Sequence, residues 1–335
     1  MTVSGRKTTG PSPRTARELA LGVLTRVEEK KAYSNLLLNE SLNRHPLGRA
    51  DAALATEIVY GTIQRKNTLD YMLDRFLEKG GRLEPWVRNL LRMSLYQLKY
   101  LDRIPPHAVV HESVEIAKTR GHRGIAGMVN AVLRGAIREP ERLAVPDGLD
   151  PVRRIALEHS HPEWMVAMWL EQFGERETER MCAANNVPPR VSVRVNTLKR
   201  SRDELLERMR LDGLDARPSP IAPAGIIVAG GGNMAHTPWY KEGELSIQDE
   251  SSMLVAEAVD PQPGERVLDC CAAPGGKTGH MAEKMGDIGE IVSCDVHEHK
   301  RRLIEAQIER LGLKCVTTIV EDARRLPARF GEGTF

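Results

Sequence analysis

The stretch Arg266-Val267-Leu268-Asp269-Cys270-Cys271-Ala272-Ala273-Pro274-Gly275-Gly276-Lys277-Thr278 decides the fold. It reads as a strand end, a loop of small residues and a helix start. In doubly wound α/β folds a ligand sits at the carboxyl end of such a strand. Gly275 and Gly276 admit close backbone approach and positive φ. Free N–H groups at the following helix start favour an anionic ligand group. Outward from this run the pattern repeats. Residues 277–284 read as a helix, 290–294 as a strand, 299–311 as a helix and 315–320 as a strand. That βαβαβ order predicts a parallel, doubly wound sheet with right-handed crossovers.

The loop also says what kind of ligand it suits. A dinucleotide site wants G-x-G-x-x-G, which is absent here. A P-loop wants G-x-x-x-x-G-K-[ST]. Gly276-Lys277-Thr278 matches its end, but Cys271 stands where the first glycine belongs. S-adenosylmethionine (AdoMet) carries no phosphates and needs a less elaborate loop. Asp295 ends the second strand, where an acid can accept hydrogen bonds from ribose hydroxyls. Glu321-Asp322 ends the third strand, placed to reach an adenine. Singly, each acid serves more commonly as a helix cap. In order on successive strands beside the loop, they point to the cofactor.

Upstream, the character changes. Thr15 and Glu18 fit a capping box ahead of a helix. Helices are expected near 34–43, 50–64, 67–78, 84–101, 107–119 and 124–138, with no strand signals, so this third reads as an all-α bundle. Pro146 and Pro151, just after Pro140, punctuate an expected linker at 141–158. Ser160 and Glu163 suggest a second capping box. Residues 190–198, 225–229 and 244–247 read as strands around a helix at 202–211, a small α+β module. A helix at 250–259 stops at Asp260-Pro261-Gln262-Pro263-Gly264. The expected division is a flexible tail 1–13, a helical domain 14–140, a linker 141–158, a module 159–245 and half of a Rossmann-like domain 246–335.

Charge is divided unevenly. Residues 1–140 hold 23 Lys+Arg against 14 Asp+Glu, net +9, whereas 141–335 hold 25 against 32, net −7. A basic amino-terminal third suits an anionic partner such as RNA. Aromatics are only 4%, so arginine and lysine rather than a stacking platform should carry such contacts. Arg65, Lys66, Arg120, His122 and Arg123 are the first candidates, against a merely solvated face. Five cysteines without a C-x-x-C pair, no long apolar run and a polar start suggest a reducing cytoplasm. No metal site is expected. His297 and His299 are spaced i, i+2, and His107 and His111 lack the H-E-x-x-H frame.

Cys271-Ala272-Ala273-Pro274-Gly275-Gly276-Lys277 resembles the AdoMet motif of the RsmB/NOP/Sun family of RNA cytosine-C5 methyltransferases. Ser246-Ile247-Gln248-Asp249-Glu250-Ser251-Ser252 resembles the segment preceding it in that family. Arg194-Val195-Asn196-Thr197 is similar to the R-x-N-T strand of its RNA-recognition module. The resemblance implies that Cys271 to Lys277, Asp295 and Asp322 bind AdoMet, with Arg194 and Asn196 toward RNA. Ile104-Pro105-Pro106-His107, Glu112, Ala117-Lys118 and Val129-Asn130-Ala131-Val132-Leu133 resemble a NusB-type RNA-binding domain. Within the family, that domain implies a cytoplasmic monomer methylating 16S ribosomal RNA, naked or partly assembled.

The family's chemistry is covalent: a cysteine thiolate adds to cytosine C6 and activates C5. The resemblance puts the working cysteines in D-A-P-C and T-C segments beyond Phe335, so no catalytic residue is assigned here. Cys270, Cys294 and Cys315 read as small buried residues, and Cys182 as outside the site. A chain of only these residues is expected to be poorly soluble or inactive. Two other readings stay open: an RNA-binding scaffold with a degenerate domain, and tRNA as the substrate.

Overall fold

The structure is a computed structural model that describes residues 15–77, 83–230 and 232–335. The expected tail 1–13 and the last residue of the expected 67–78 helix lie outside these. The chain divides into two compact units between Pro188 and Pro189.

The first unit is all helical: α1 (Ala16–Lys30), α2 (Ser34–Arg44), α3 (Arg49–Gln64), α4 (Lys66–Asp74), α5 (Pro85–Tyr100), α6 (Pro106–Arg120), α7 (Arg123–Arg138), α8 (Pro151–His159) and α9 (Glu163–Asn185). Thr15 and Glu18 cap α1 reciprocally, as expected. α5 is the central helix. Leu90, Leu91, Met93 and Leu95 are wholly buried, because α1, α3, α4, α6 and α7 all pack on it. Buried cations have named partners. Arg92 pairs with Asp70 at 2.8 Å and with Glu28 at 2.9 Å. Arg17 reaches Gln97 at 2.6 Å and Glu112 at 2.7 Å.

Two expectations fail near the junction after α7. Part of the expected linker 141–158 is folded, as a 3₁₀ turn at Pro140–Leu143 and the helix α8. Pro151 starts that helix rather than breaking one, with Asp150 accepting from the Arg153 N–H as its cap. Ser160 is not the cap of the following helix. It ends α8 in the left-handed region, φ 59°, and Pro162 precedes α9 without a side-chain cap. The Ser160 hydroxyl instead accepts from the Asn67 and Thr68 N–H groups at the start of α4.

The second unit joins two sheets. β1 (Val191–Val195), α10 (Arg202–Leu211), β2 (Asp215–Pro218), β3 (Gly225–Ala229), the short α11 (Pro238–Lys241) and β4 (Leu245–Ile247) build the small module. Its sheet is antiparallel, in the order β2-β3-β1-β4. Val193 and Val195 bury against Leu205, Leu206 and Met209 of α10. Then come α12 (Glu250–Val259), β5 (Arg266–Asp269), α13 (Gly276–Lys284), β6 (Glu290–Asp295), α14 (Glu298–Leu311), β7 (Val316–Val320) and the short α15 (Leu326–Phe330). The sheet is parallel, as expected, with its three strands in chain order β5-β6-β7. β6 is central and nearly all buried, while β5 is half-buried at an edge. α12 leaves Leu254, Val255 and Val259 exposed.

Candidate functional site

The carboxyl ends of β5, β6 and β7 meet the glycine loop. Two strand-end carboxylates hold that loop in place. Asp269, the last residue of β5, accepts from the Thr278 hydroxyl at 2.7 Å and the Cys271 N–H at 3.3 Å. Asp295, the last residue of β6, accepts from the Ala273 N–H at 3.3 Å and lies 3.4 Å from Lys300 Nζ. The Ala272 N–H donates to the Cys294 carbonyl at 2.9 Å, tying the loop to β6. The Ala273–Pro274 peptide is cis. Gly275 adopts φ 101°, a region that excludes most side chains, and its N–H donates to the Ala272 carbonyl at 2.7 Å.

Of the predicted cofactor residues, Cys271 to Lys277 and Asp295 come together here. Cys271, Pro274 and Lys277 are exposed, while Asp295 is 8% exposed. β7 also ends beside Asp295, whose carbonyl accepts from the Glu321 N–H at 3.2 Å. Asp322 caps a 3₁₀ turn through the Arg324 N–H, and the Arg324 guanidinium holds its carboxyl down to about 2. Both of its oxygens are thus engaged within its own turn. Asp269, Thr278, Gln248 and Glu283 were missed. The signal for Asp269 was available: an acid closing the strand that feeds the loop.

Two expected RNA contacts are corrected. Arg194 is fully buried and Asn196 is 1% exposed. The Arg194 fork grips Glu283 of α13 at 2.8 and 3.0 Å, and its third nitrogen donates to the Gly276 carbonyl at 2.7 Å and to Gln248. The Asn196 amide donates to the Gly243 carbonyl at 3.0 Å and the Leu311 carbonyl at 3.3 Å. RNA reaches neither side chain. Arg310 adds a third tie within this unit: it lies over the Tyr240 ring at 4.0 Å and donates to the Leu245 carbonyl at 2.9 Å.

The basic candidates of the first unit lie at two helix junctions. Arg65 and Lys66 stand between α3 and α4, where Arg65 lies over the Tyr100 ring at 5.1 Å and Lys66 is 3.6 Å from Glu28. Arg120 and Arg123 flank the α6–α7 turn and are exposed, with Arg120 over Trp86 at 5.2 Å. His122 between them caps α7 through the Gly124 N–H. Among the cysteines, Cys182 and Cys294 are buried, but Cys270 is exposed, against expectation. It follows the last paired residue of β5 and stands in the open loop.

Chemically, the parallel-sheet end offers acceptor-only carboxylates, Asp269 and Asp295, beside small loop residues and the start of α13. Such a set suits a ligand presenting hydroxyl and cationic donors with one anionic group at the helix start. It lacks the wrapped loop of a phosphate site. Among the described residues, no helix is long and apolar enough to cross a membrane.

Helical bundle, small antiparallel module and glycine-loop parallel sheet together define a methyltransferase-type protein with an appended helical domain. The comparisons agree part by part. Residues 14–138 match the NusB family, 161–235 the RsmF/B-like ferredoxin-like domain, and 256–335 the family described as 16S rRNA methyltransferase RsmB/F. A probable ribosomal RNA small subunit methyltransferase B of Bacillus subtilis is 46% identical over 95% of this chain and 71% of its own length. A similarly described Synechocystis protein is 34% identical over 90% of this chain and 68% of its own length. The crystal structure of PH0851 shares the fold, with a TM-score of 0.74 at 24% identity over 98% of this chain and 73% of its own. A methyltransferase homologue from Pyrococcus horikoshii matches at TM-score 0.51 and 31% identity, over 54% of this chain and 60% of its own. The chain belongs to the ribosomal RNA small subunit methyltransferase B family.

Proposed function

We propose that the loop Cys271 to Lys277, with Asp295 and Asp322, binds AdoMet, and that the protein methylates cytosine C5 in 16S ribosomal RNA. The observation that carries this reading is the pairing of Asp269 and Asp295 around one loop at adjacent strand ends. Asp295 is the acceptor for the ribose hydroxyls. Asp269 holds the loop and would supply negative charge near the cationic part of the ligand. The start of α13 and exposed Lys277 suit its carboxylate. Bound there, AdoMet supplies an electrophilic methyl group. Asp322 takes part only by leaving Arg324.

The helical domain 14–140 is the RNA-holding part, with Arg65, Lys66, Arg120 and Arg123 against phosphate; the 159–245 module, whose helix α9 belongs to the first compact unit, and the 246–335 domain complete the proposed division. The substrate is naked or partly assembled small-subunit RNA, and the protein acts as a cytoplasmic monomer. Cytosine C5 becomes nucleophilic when a thiolate adds to C6. None of the five cysteines suits that addition. Cys182 and Cys294 are buried. Burial and Asp287 push Cys315 up to about 12. Cys270 and Cys271 belong to the cofactor loop, and Cys270 pushes the Cys271 thiol up.

The assignment is tested by bisulfite sequencing of 16S RNA from a strain lacking the gene. One protected cytosine should become convertible. An unchanged ribosomal pattern, with a change in tRNA instead, rejects the substrate.

A further inference from the structure

We propose that Arg194 is a positioning residue for the cofactor loop, fixing the first turn of α13 from the small α+β module. This rests on the AdoMet reading above and adds to it how the loop is held.

Arg194 sits on β1, between Val193 and Val195 of the module's core. Alternation along the strand sends it to the opposite face, toward α13. There its side chain and that of Glu283 are 0% and 1% exposed. Two of its nitrogens take the Glu283 carboxylate in a fork. The remaining one turns to the Gly276 carbonyl at 2.7 Å, one residue past Gly275. Gln248 joins at the same nitrogen, and its own amide donates to the Ser252 carbonyl at 3.2 Å. Gly279 makes room: a Cβ there would lie 2.8 Å from Leu311 Cδ1 and 3.4 Å from Arg194 Nη2.

Stability alone does not call for this arrangement. A buried ion pair is often replaced by apolar residues of similar volume without loss. What arginine adds is a rigid fork with a spare direction, which lysine lacks. Here the spare direction ends on backbone of the loop–helix junction. A loop that must present N–H groups and small residues to a ligand gains affinity from being held beforehand.

The test titrates AdoMet calorimetrically into the full chain and into the double variant Arg194→Met with Glu283→Gln, which leaves no lone buried charge. Melting and amide hydrogen exchange are followed on both. The double variant should melt close to the parent, bind AdoMet about tenfold more weakly and exchange faster across the loop, with β3 unchanged. A folded double variant with parental affinity and parental loop exchange overturns the proposal. Should that variant fail to fold, Arg194→Lys keeps a cation against Glu283 but cannot span both partners. It should weaken AdoMet binding in the same direction, and an unchanged affinity overturns the proposal. If the parent itself binds no AdoMet, the cofactor reading has failed. Loop exchange then decides the positioning role alone: faster exchange in the variant supports it, and unchanged exchange overturns it.

Discussion

Asp269 spends both carboxylate oxygens on the loop, whereas Asp295 spends one there and turns the other toward Lys300. The bond from the Thr278 hydroxyl to Asp269 is fully enclosed on the threonine side. Thr278→Val keeps the shape and removes that donor, so it should lower stability by about 1–2 kcal/mol and loosen AdoMet binding. Thermal melting with and without AdoMet checks both, and a variant as stable as the parent would show the bond contributes nothing. Gly275 is the other decisive residue. Alanine there must adopt φ 101° with its Cβ 3.4 Å from Gln307 and Ile304. Gly275→Ala should cost about 1 kcal/mol or more and reduce AdoMet affinity, as read by titration.

At the scale of elements, α13 carries both the loop and a buried imidazole. His280 is 2% exposed, and burial, with Arg194 and Lys284 nearby, pushes it down to about 3. It is therefore neutral in the fold, although its Nε2 lies 3.5 Å from the Glu257 carboxylate. Unfolded, it titrates near 6.5, so the unfolded chain binds the extra proton between these values. Stability then falls as pH drops from about 6.5 toward 3, by at most about 1.4 kcal/mol per pH unit. His280→Phe should flatten that limb in denaturant titrations at pH 7 and pH 5; an equal loss in both proteins would contradict it. Much of this architecture was legible. Period and turn residues gave α10, α12, β5 and the loop with few shifts, because each follows local rules. Arg194 was not legible. In Val193-Arg194-Val195 an alternating strand reads as one apolar and one wet face, yet the second face is covered by α13, whose Glu283 lies 89 residues away. Nor was α8, since Pro151 punctuates a linker and opens a helix with the same residue. Gly61 shows a third limit: nothing local marks it, but a Cβ there would lie 1.9 Å from the Tyr96 ring. The Tyr96 hydroxyl donates to Glu57 at 2.6 Å, so Gly61→Ala should displace it and lower stability by about 1–3 kcal/mol, measurable by urea unfolding.

At the scale of the whole molecule, charge and fold divide the labour. The amino-terminal 140 residues carry the net +9 and the helical domain; the acidic remainder carries the carboxylate-lined site. Replacing Arg65, Lys66, Arg120 and Arg123 by glutamate should weaken binding of the full chain to 16S RNA fragments and lower its salt dependence. AdoMet affinity should not change, and RNA affinity equal to the parent's would remove these four from the interface. AdoMet is held at the end of the parallel sheet in this reading. The most direct test is calorimetric titration of AdoMet into the intact chain beside Asp295→Ala, with circular dichroism to show that both are folded. The parent should bind one to one, and the folded variant should lose at least tenfold in affinity, about 1.4 kcal/mol. Equal affinity in the two, or no binding by the folded parent, contradicts that reading.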